Sequence, residues 1–408
     1  MIHLYPLYID PGTGSMMFSI LIGAAATLYF LLRALILKMK VFLSGGRISS
    51  NTDNTSNYVI YSESSRYWNV FKPIIEEFEH NKIELRYLTS AIDDPVFKTS
   101  WSYVKPEFIG EGNKAFLRLN FLSAQVLLMT TPGLDVYQLK RSKKVKHYSH
   151  VLHAATDAVY RLFGLDYFDS VLLTGDYQAA DIRYLEKLRG LPEKQLVTVG
   201  CSYLDVYSEK IKQIPGESDP PFTVLVSPTW GPSSLLTRYG EKLLDPLSAS
   251  PWRIIIRPHP QSQISEAAML ERLQTRFKDS SNIEWDYEQE NIFSLKKADV
   301  MISDFSGIIF DYMFLCNKPV IYVNHDIDLR PYNADDLDHE LWQFTILKEA
   351  GIELREEDFP GITEVIKNAA DSAALSAARK KACETAWQYP GEAGKRIFNF
   401  MINAVKED

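Results

Sequence analysis

Cysteine is scarce: there are three in 408 residues, Cys201, Cys316 and Cys383, far apart and odd in number. They make neither a disulfide framework nor a paired metal site, which fits a reducing compartment. An excess of positive charge is missing too, with 44 Lys and Arg against 52 Asp and Glu, a net charge of −8. Nucleic-acid binding needs broad phosphate neutralisation, so no nucleic-acid partner is expected. No short-period repeat is visible, which excludes a solenoid. The composition, 46% hydrophobic and 24% charged, excludes a disordered or fibrous chain. At about 150 residues per domain, this length makes two to three folding units.

The charge is unevenly spread. Residues 1–50 hold Arg33, Lys38, Lys40 and Arg47 against Asp10, so the remainder is strongly acidic. Met16–Leu37 (MMFSILIGAAATLYFLLRALIL) carries Arg33 as its single charge. As a helix it spans roughly 33 Å, enough to cross a hydrocarbon core. A cleaved signal peptide needs positive charge ahead of the apolar run, whereas the preceding IDPGTGS has only Asp10. The positive charges follow the segment, which sets the N-terminus outside and the body in the cytoplasm. Residues 1–43 are therefore expected to be a membrane anchor. The small, polar stretch SGGRISSNTDNTSN, 44–57, is expected to be a flexible tether.

Beyond it, short apolar runs alternate with amphipathic stretches. Strands are expected at Tyr58–Tyr61, Glu84–Leu88, Ala124–Met129, Val145–Leu152, Val171–Thr174 and Leu196–Val199. The Pro/Gly/acid-rich IPGESDPP, 214–221, then breaks the pattern. Further strands are expected at Thr223–Ser227, Arg253–Arg257, Asn282–Trp285, Asp299–Ser303 and Pro319–Val323. Such alternation implies parallel sheets flanked by helices. Two α/β lobes follow, 58–213 and 222–408, with the cleft between them as the natural ligand site.

Within DVMISDFSGIIFDYMFLCNKPVIYV, 299–323, a strand ends at Ser303-Asp304 and a helix starts near Ser306-Gly307. A helix N-terminus at the carboxyl end of a parallel strand suits a diphosphate, though a plain capped helix has the same pattern. Arg257-Pro258-His259-Pro260 follows the apolar run RIII. Arg can grip phosphate bidentately and His can hydrogen-bond it; a solvated Pro-rich loop is the plainer reading. Thr229, Trp230 and Gly231 stand in the turn after strand Thr223–Val226, where the aromatic either stacks on a base or plugs the sheet. In HYSHVLHAATD, the spacing of His147, His150 and His153 does not put all three on one strand face, so they are a poor metal site. His153 falls at the strand end, towards the cleft, and is the candidate general base. The basic KRSKKVK before it suits an anionic lipid or polymer, or simply solvent.

The succession HVLHAATD, TGDYQAADIRYLE, VGCSYLDVY, SPTWG, RPHP and SDFSGIIFDY, with EAGKRIFNFM near the C-terminus, resembles the CDP-glycerol glycerophosphotransferase family of bacterial teichoic-acid and capsule synthesis. The resemblance implies a GT-B-like α/β fold: two Rossmann-like lobes with a central cleft, here preceded by one N-terminal transmembrane helix. It also implies transfer of glycerol phosphate from CDP-glycerol, or a related CDP-polyol, to a hydroxyl of a lipid-linked glycan or polymer, with release of CMP. His153 is then the catalytic base. Arg257 and His259 neutralise the donor diphosphate, Ser303, Asp304, Ser306 and Gly307 line its binding turn, and Thr229, Trp230 and Gly231 complete the donor site. No metal or other cofactor is implied. The chain departs from the family in having Ala154 where Gly usually follows the histidine. A single-pass protein on the cytoplasmic face of a bacterial membrane is the expected setting. The rival readings are a GT-B glycosyltransferase using a nucleotide sugar and a membrane-tethered binding protein whose catalysis has decayed.

Overall fold

The computed structural model describes residues 56–406, apart from 159, 289 and 325–328. The apolar segment Met16–Leu37, and with it the expected anchor and nearly all of the tether, lies outside the described residues. Among the described residues, no helix is long and apolar enough to cross a membrane.

The first sheet contains β1 (Ser56–Ser62), β2 (Leu85–Thr89), β3 (Val104–Phe108), β4 (Ala124–Met129), β5 (Val145–Val151), β6 (Ser170–Leu173) and β7 (Gln195–Thr198). Their spatial order is β3-β2-β1-β4-β5-β6-β7, and every pairing is parallel. The second sheet contains β8 (Thr223–Val226), β9 (Arg253–Ile256), β10 (Ile283–Trp285), β11 (Val300–Ser303), β12 (Val320–Tyr322) and β13 (Ile352–Glu353). Its order is β10-β9-β8-β11-β12-β13, again all parallel. The α/β architecture with parallel sheets is the one expected.

Parallel sheets need cover on both faces, and the strands meet that need with apolar residues at both parities. Val59, Tyr61, Leu127 and Met129 enter one core of the first sheet, while Tyr58, Ile60, Val126 and Leu128 enter the opposite one. The second sheet divides likewise, Leu225, Ile255 and Met301 on one face and Val224, Ile254 and Ile302 on the other. In both sheets the order reverses once, between β1 and β4 and between β8 and β11. In open α/β sheets, ligands bind outside the carboxyl ends of strands at such a reversal.

Two edge strands escape the sequence pattern. β3, VKPEF, exposes most of its side chains and contains Pro106, which an edge strand tolerates. β13 has only two residues.

The lobes are not independent. Ala155, Cys201 and Leu204 share one core with Leu225, Met301 and Phe310 of the second sheet. The C-terminal helix, Ala393–Lys406, returns to the first lobe, where Ile397, Phe398 and Met401 pack with Val70, Phe71 and Phe78 of the helix Trp68–His80. Its approach is close: a Cβ on Gly394 would stand 2.6 Å from the Cβ of Pro73. The last part of 222–408 therefore completes the first lobe.

Candidate active site

β5 ends at Val151, and His153 stands two residues beyond, at the carboxyl edge of the first sheet. Its ring meets Tyr67 edge-on, with centroids 5.1 Å apart, and lies 6.4 Å from the ring of Tyr160. Nδ1 is buried and has no hydrogen-bond partner. Burial disfavours the charged imidazolium and lowers the pKa to about 4. At neutral pH the ring is therefore uncharged and able to take a proton.

The other two histidines of this strand are engaged elsewhere. His150 is wholly buried, with Nε2 3.1 Å from the Tyr160 hydroxyl, and burial followed by the neighbouring His153 lowers its pKa to about 3. His147 places Nε2 2.9 Å from Ser170 Oγ. Among the described residues, no three His, Cys, Asp or Glu side chains converge as a metal site.

The second lobe presents a hydrogen-bonded frame. Asp304, at the end of β11, is buried and accepts from the Thr229 amide at 2.8 Å and the Leu235 amide at 3.0 Å. Its carboxylate thus fixes both the turn after β8 and the start of the helix Leu235–Ser248. Burial raises its pKa, while these amides act in the opposite sense. Ser303 Oγ donates to the Ser227 carbonyl at 2.6 Å. Ser303 and Asp304 are thereby framework residues, with side chains spent on the protein.

Arg257 is committed in the same way. Its guanidinium donates to Asp286 Oδ2 at 2.6 Å and to the Glu288 carbonyl at 2.7 Å; Arg257 is buried and Asp286 partly so. Burial works against the Asp286 carboxylate, yet bonds from Ser294, the Glu288 amide and Arg257 hold its pKa below the usual range. Holding a donor diphosphate would therefore be a second duty for Arg257. The sequence shows the cation at the strand end but not Asp286, 29 residues later, which claims it.

What stays open around this frame is narrower than the expected set. Trp230 is 48% exposed, with its ring 6.3 Å from that of His259 and tilted by 32°. Gly231 has φ +95°, the left-handed backbone that glycine adopts freely. His259 Nδ1 accepts the Gln261 amide at 3.1 Å, which fixes the ring's orientation. Gly307 is exposed and opens the nine-residue helix Ile308–Cys316, and no atom lies within 4 Å of where its Cβ would be. A ligand can therefore approach the backbone there closely. Thr229, Trp230, Gly231, His259, Ser306 and Gly307 share the carboxyl edge of β8, β9 and β11, three neighbouring strands.

Two residues at the first lobe's edge carried no signal in the sequence. Arg66 and Tyr67 belong to a short turn of helix, Ser65–Tyr67, after β1. Arg66 is exposed. Burial first, then the Arg66 charge, hold the His259 pKa below its ordinary value, so the charge on this turn acts on the histidine of the other lobe.

Polar contacts hold the lobes together beside this opening. Asp157 Oδ2 accepts the Gln343 amide at 2.7 Å, and Tyr203 donates to Asp311 at 3.2 Å. Asp205 accepts from Trp387 Nε1 at 2.9 Å, the Gly391 amide at 2.7 Å and the Ala393 amide at 3.1 Å, anchoring the C-terminal helix. VGCSYLDVY and EAGKRIFNFM thus meet as parts of the architecture.

Residues 183–348 match the family model of CDP-glycerol:poly(glycerophosphate) glycerophosphotransferases. The matched stretch contains VGCSYLDVY, SPTWG, RPHP and SDFSGIIFDY and begins after HVLHAATD, so it does not reach His153. No curated protein matches the sequence. Among solved structures, the wall teichoic acid polymerase TagF is similar with a TM-score of 0.57 and 16% identity, over 93% of this chain and 97% of that one. A variant of TagF soaked with CDPG gives 0.54 and 14% identity, over 95% and 98%. A putative UDP-N-acetylglucosamine 2-epimerase from Listeria monocytogenes gives 0.59 and 12%, over 86% and 97%. At such identities the likeness establishes the two-lobed fold, and it does not separate a transferase from an epimerase.

Proposed function

We propose that the protein transfers glycerol phosphate from CDP-glycerol to a hydroxyl of a lipid-linked glycan or polyol-phosphate polymer, releasing CMP. One observation carries this reading beyond the family match. A neutral histidine whose buried Nδ1 has no partner stands at the carboxyl edge of one sheet, and the carboxyl edge of the other sheet offers an open helix N-terminus, an exposed tryptophan and a second histidine.

The step runs as follows. The acceptor hydroxyl oxygen attacks the β-phosphorus, forming a new P–O bond. The bond from that phosphorus to the bridging oxygen breaks, and CMP leaves with the bridging oxygen. The hydroxyl proton passes to His153. A base of pKa about 4 is weak in the free protein, and the negative charge of a bound donor raises its proton affinity where the proton must be taken. His259 and the backbone at Gly307 meet the phosphates, Trp230 offers a flat surface to the base, and Asp304 and Arg257 hold these groups in register. Phosphoryl transfer of this kind depends chiefly on positioning and electrostatics.

The membrane setting is part of the same proposal. The Met16–Leu37 run with its following positive charges supports an anchor that keeps the body on the cytoplasmic face, near a lipid-linked acceptor. In membrane fractionation the full chain is expected to sediment with vesicles after a high-salt wash, and deletion of 1–43 to release it.

The deciding experiment incubates the detergent-solubilised full chain and lipid-linked acceptor with CDP-glycerol, CDP-ribitol or UDP-sugars, and follows nucleotide release. CMP from CDP-glycerol, lost in His153→Ala, is the expected result. UDP release identifies a sugar transferase, and binding without turnover identifies a decayed enzyme.

A further inference from the structure

The cation expected at the donor edge, Arg257, is already paired with Asp286. A diphosphate carries charge that one neutral histidine and a helix N-terminus meet only in part. The turn after β1 supplies another cation. Ser64 caps this turn by accepting the Arg66 amide at 3.4 Å, which fixes the backbone from which the Arg66 side chain leaves. The next residue, Tyr67, lays its ring against His153. Arg66 itself is exposed and makes no ion pair among the described residues. It feels His259 from across the lobes. Arg66 is thus one residue from the proton acceptor's neighbour and within electrostatic reach of the donor-edge histidine.

We propose that Arg66, from the acceptor-side lobe, is the guanidinium that grips the transferred phosphate of the donor. The inference rests on the reading of the protein as a phosphoryl-group transferase using a CDP-linked donor. In-line attack sets the β-phosphorus between the acceptor hydroxyl and the departing CMP, on the side nearer His153, and Arg66 leaves the chain beside the tyrosine that packs on His153. A planar guanidinium can donate two parallel hydrogen bonds to phosphate oxygens and meet the charge they gain during transfer. An ammonium offers a point charge without the fork, so Lys restores only part of the effect.

The test compares wild type, Arg66→Ala and Arg66→Lys as full chains in detergent, measuring kcat and KM for CDP-glycerol and the inhibition constant of CMP. Arg66→Ala is expected to lower kcat/KM about 100-fold, part of it in kcat, and Arg66→Lys to recover about tenfold. CMP lacks the transferred phosphate, so its inhibition constant should change less than threefold. Thermal unfolding should be unchanged, since the side chain is exposed. A kcat/KM within twofold of wild type in Arg66→Ala overturns the role of Arg66 and leaves the proposed activity intact. Equal losses of kcat/KM and CMP affinity also overturn it, by assigning Arg66 to the nucleotide. A wild type that neither turns over nor binds CDP-glycerol overturns both the activity and the inference.

Discussion

The two carboxyl edges that face the opening are built by different physical means. At the first, His153 is set by burial between the rings of Tyr67 and Tyr160, and its Nδ1 has no partner. At the second, Ser303, Asp304 and Arg257 are tied by hydrogen bonds to Ser227, Thr229, Leu235, Asp286 and Glu288. A group that must exchange a proton gains from unspent hydrogen-bonding capacity, whereas groups that only shape a phosphate site gain from being fully satisfied. On the proposed function, the difference separates chemistry from scaffolding within one set of motifs.

That separation is open to direct attack. The largest effect is expected from His153→Ala, with CMP release from CDP-glycerol falling by about 10²–10⁴, the usual worth of a general base. Near-normal turnover would move the chemistry away from the first edge. Arg257→Ala should act on the fold: it leaves the part-buried Asp286 carboxylate only the Ser294 hydroxyl and the Glu288 amide, a loss of about 1–3 kcal/mol, read by urea unfolding. A variant of unchanged stability with poor donor use would return Arg257 to the ligand and break the contrast.

Asp304→Ala strips the Thr229 and Leu235 amides of their acceptor, at about 1–3 kcal/mol for each group left unpaired. Its donor KM should rise together with the loss of stability, because the turn and the open backbone move as one. A rise in KM without destabilisation would make Asp304 a direct ligand. The pH profile sharpens the other side. With His153 at about 4, kcat/KM for the donor should rise with pH through about 4 and be level by pH 6; an acid limb near 6.5 would mean an exposed, ordinary histidine.

The smallest effect concerns the joint between the lobes. Burial raises the Asp157 pKa to about 7, against about 3.9 for an unfolded chain. Between these values the folded state holds the proton and the unfolded state has lost it. The stabilising contribution is therefore complete below about pH 4 and is lost as pH rises through about 7. Asp157→Asn should flatten the fall of the melting temperature between pH 5 and 8, measured by calorimetry. An unaltered slope would mean that the carboxyl is already ionised against the Gln343 amide.

Eleven expected strands appear within a residue or two of their places, because strands buried on both faces read as unbroken apolar runs. β3 and β13 were illegible, since an edge strand with Pro106 and a two-residue strand leave little apolar pattern. His153 was legible as a residue at a strand end. The fate of Arg257 was not, because its partner Asp286 lies on another loop, and Arg66 belongs to none of the motifs.

By itself, then, the amino-acid sequence determined the alternation of strands and helices, the parallel sheets and the family resemblance. All of these depend on local periodicity, turn residues and motif order. Only the tertiary structure decided which charged groups are already claimed, that the last helix crosses back to the first lobe, and that Tyr67 packs on His153. Those facts depend on distances between residues far apart in the chain, and a pairing energy has no period to read.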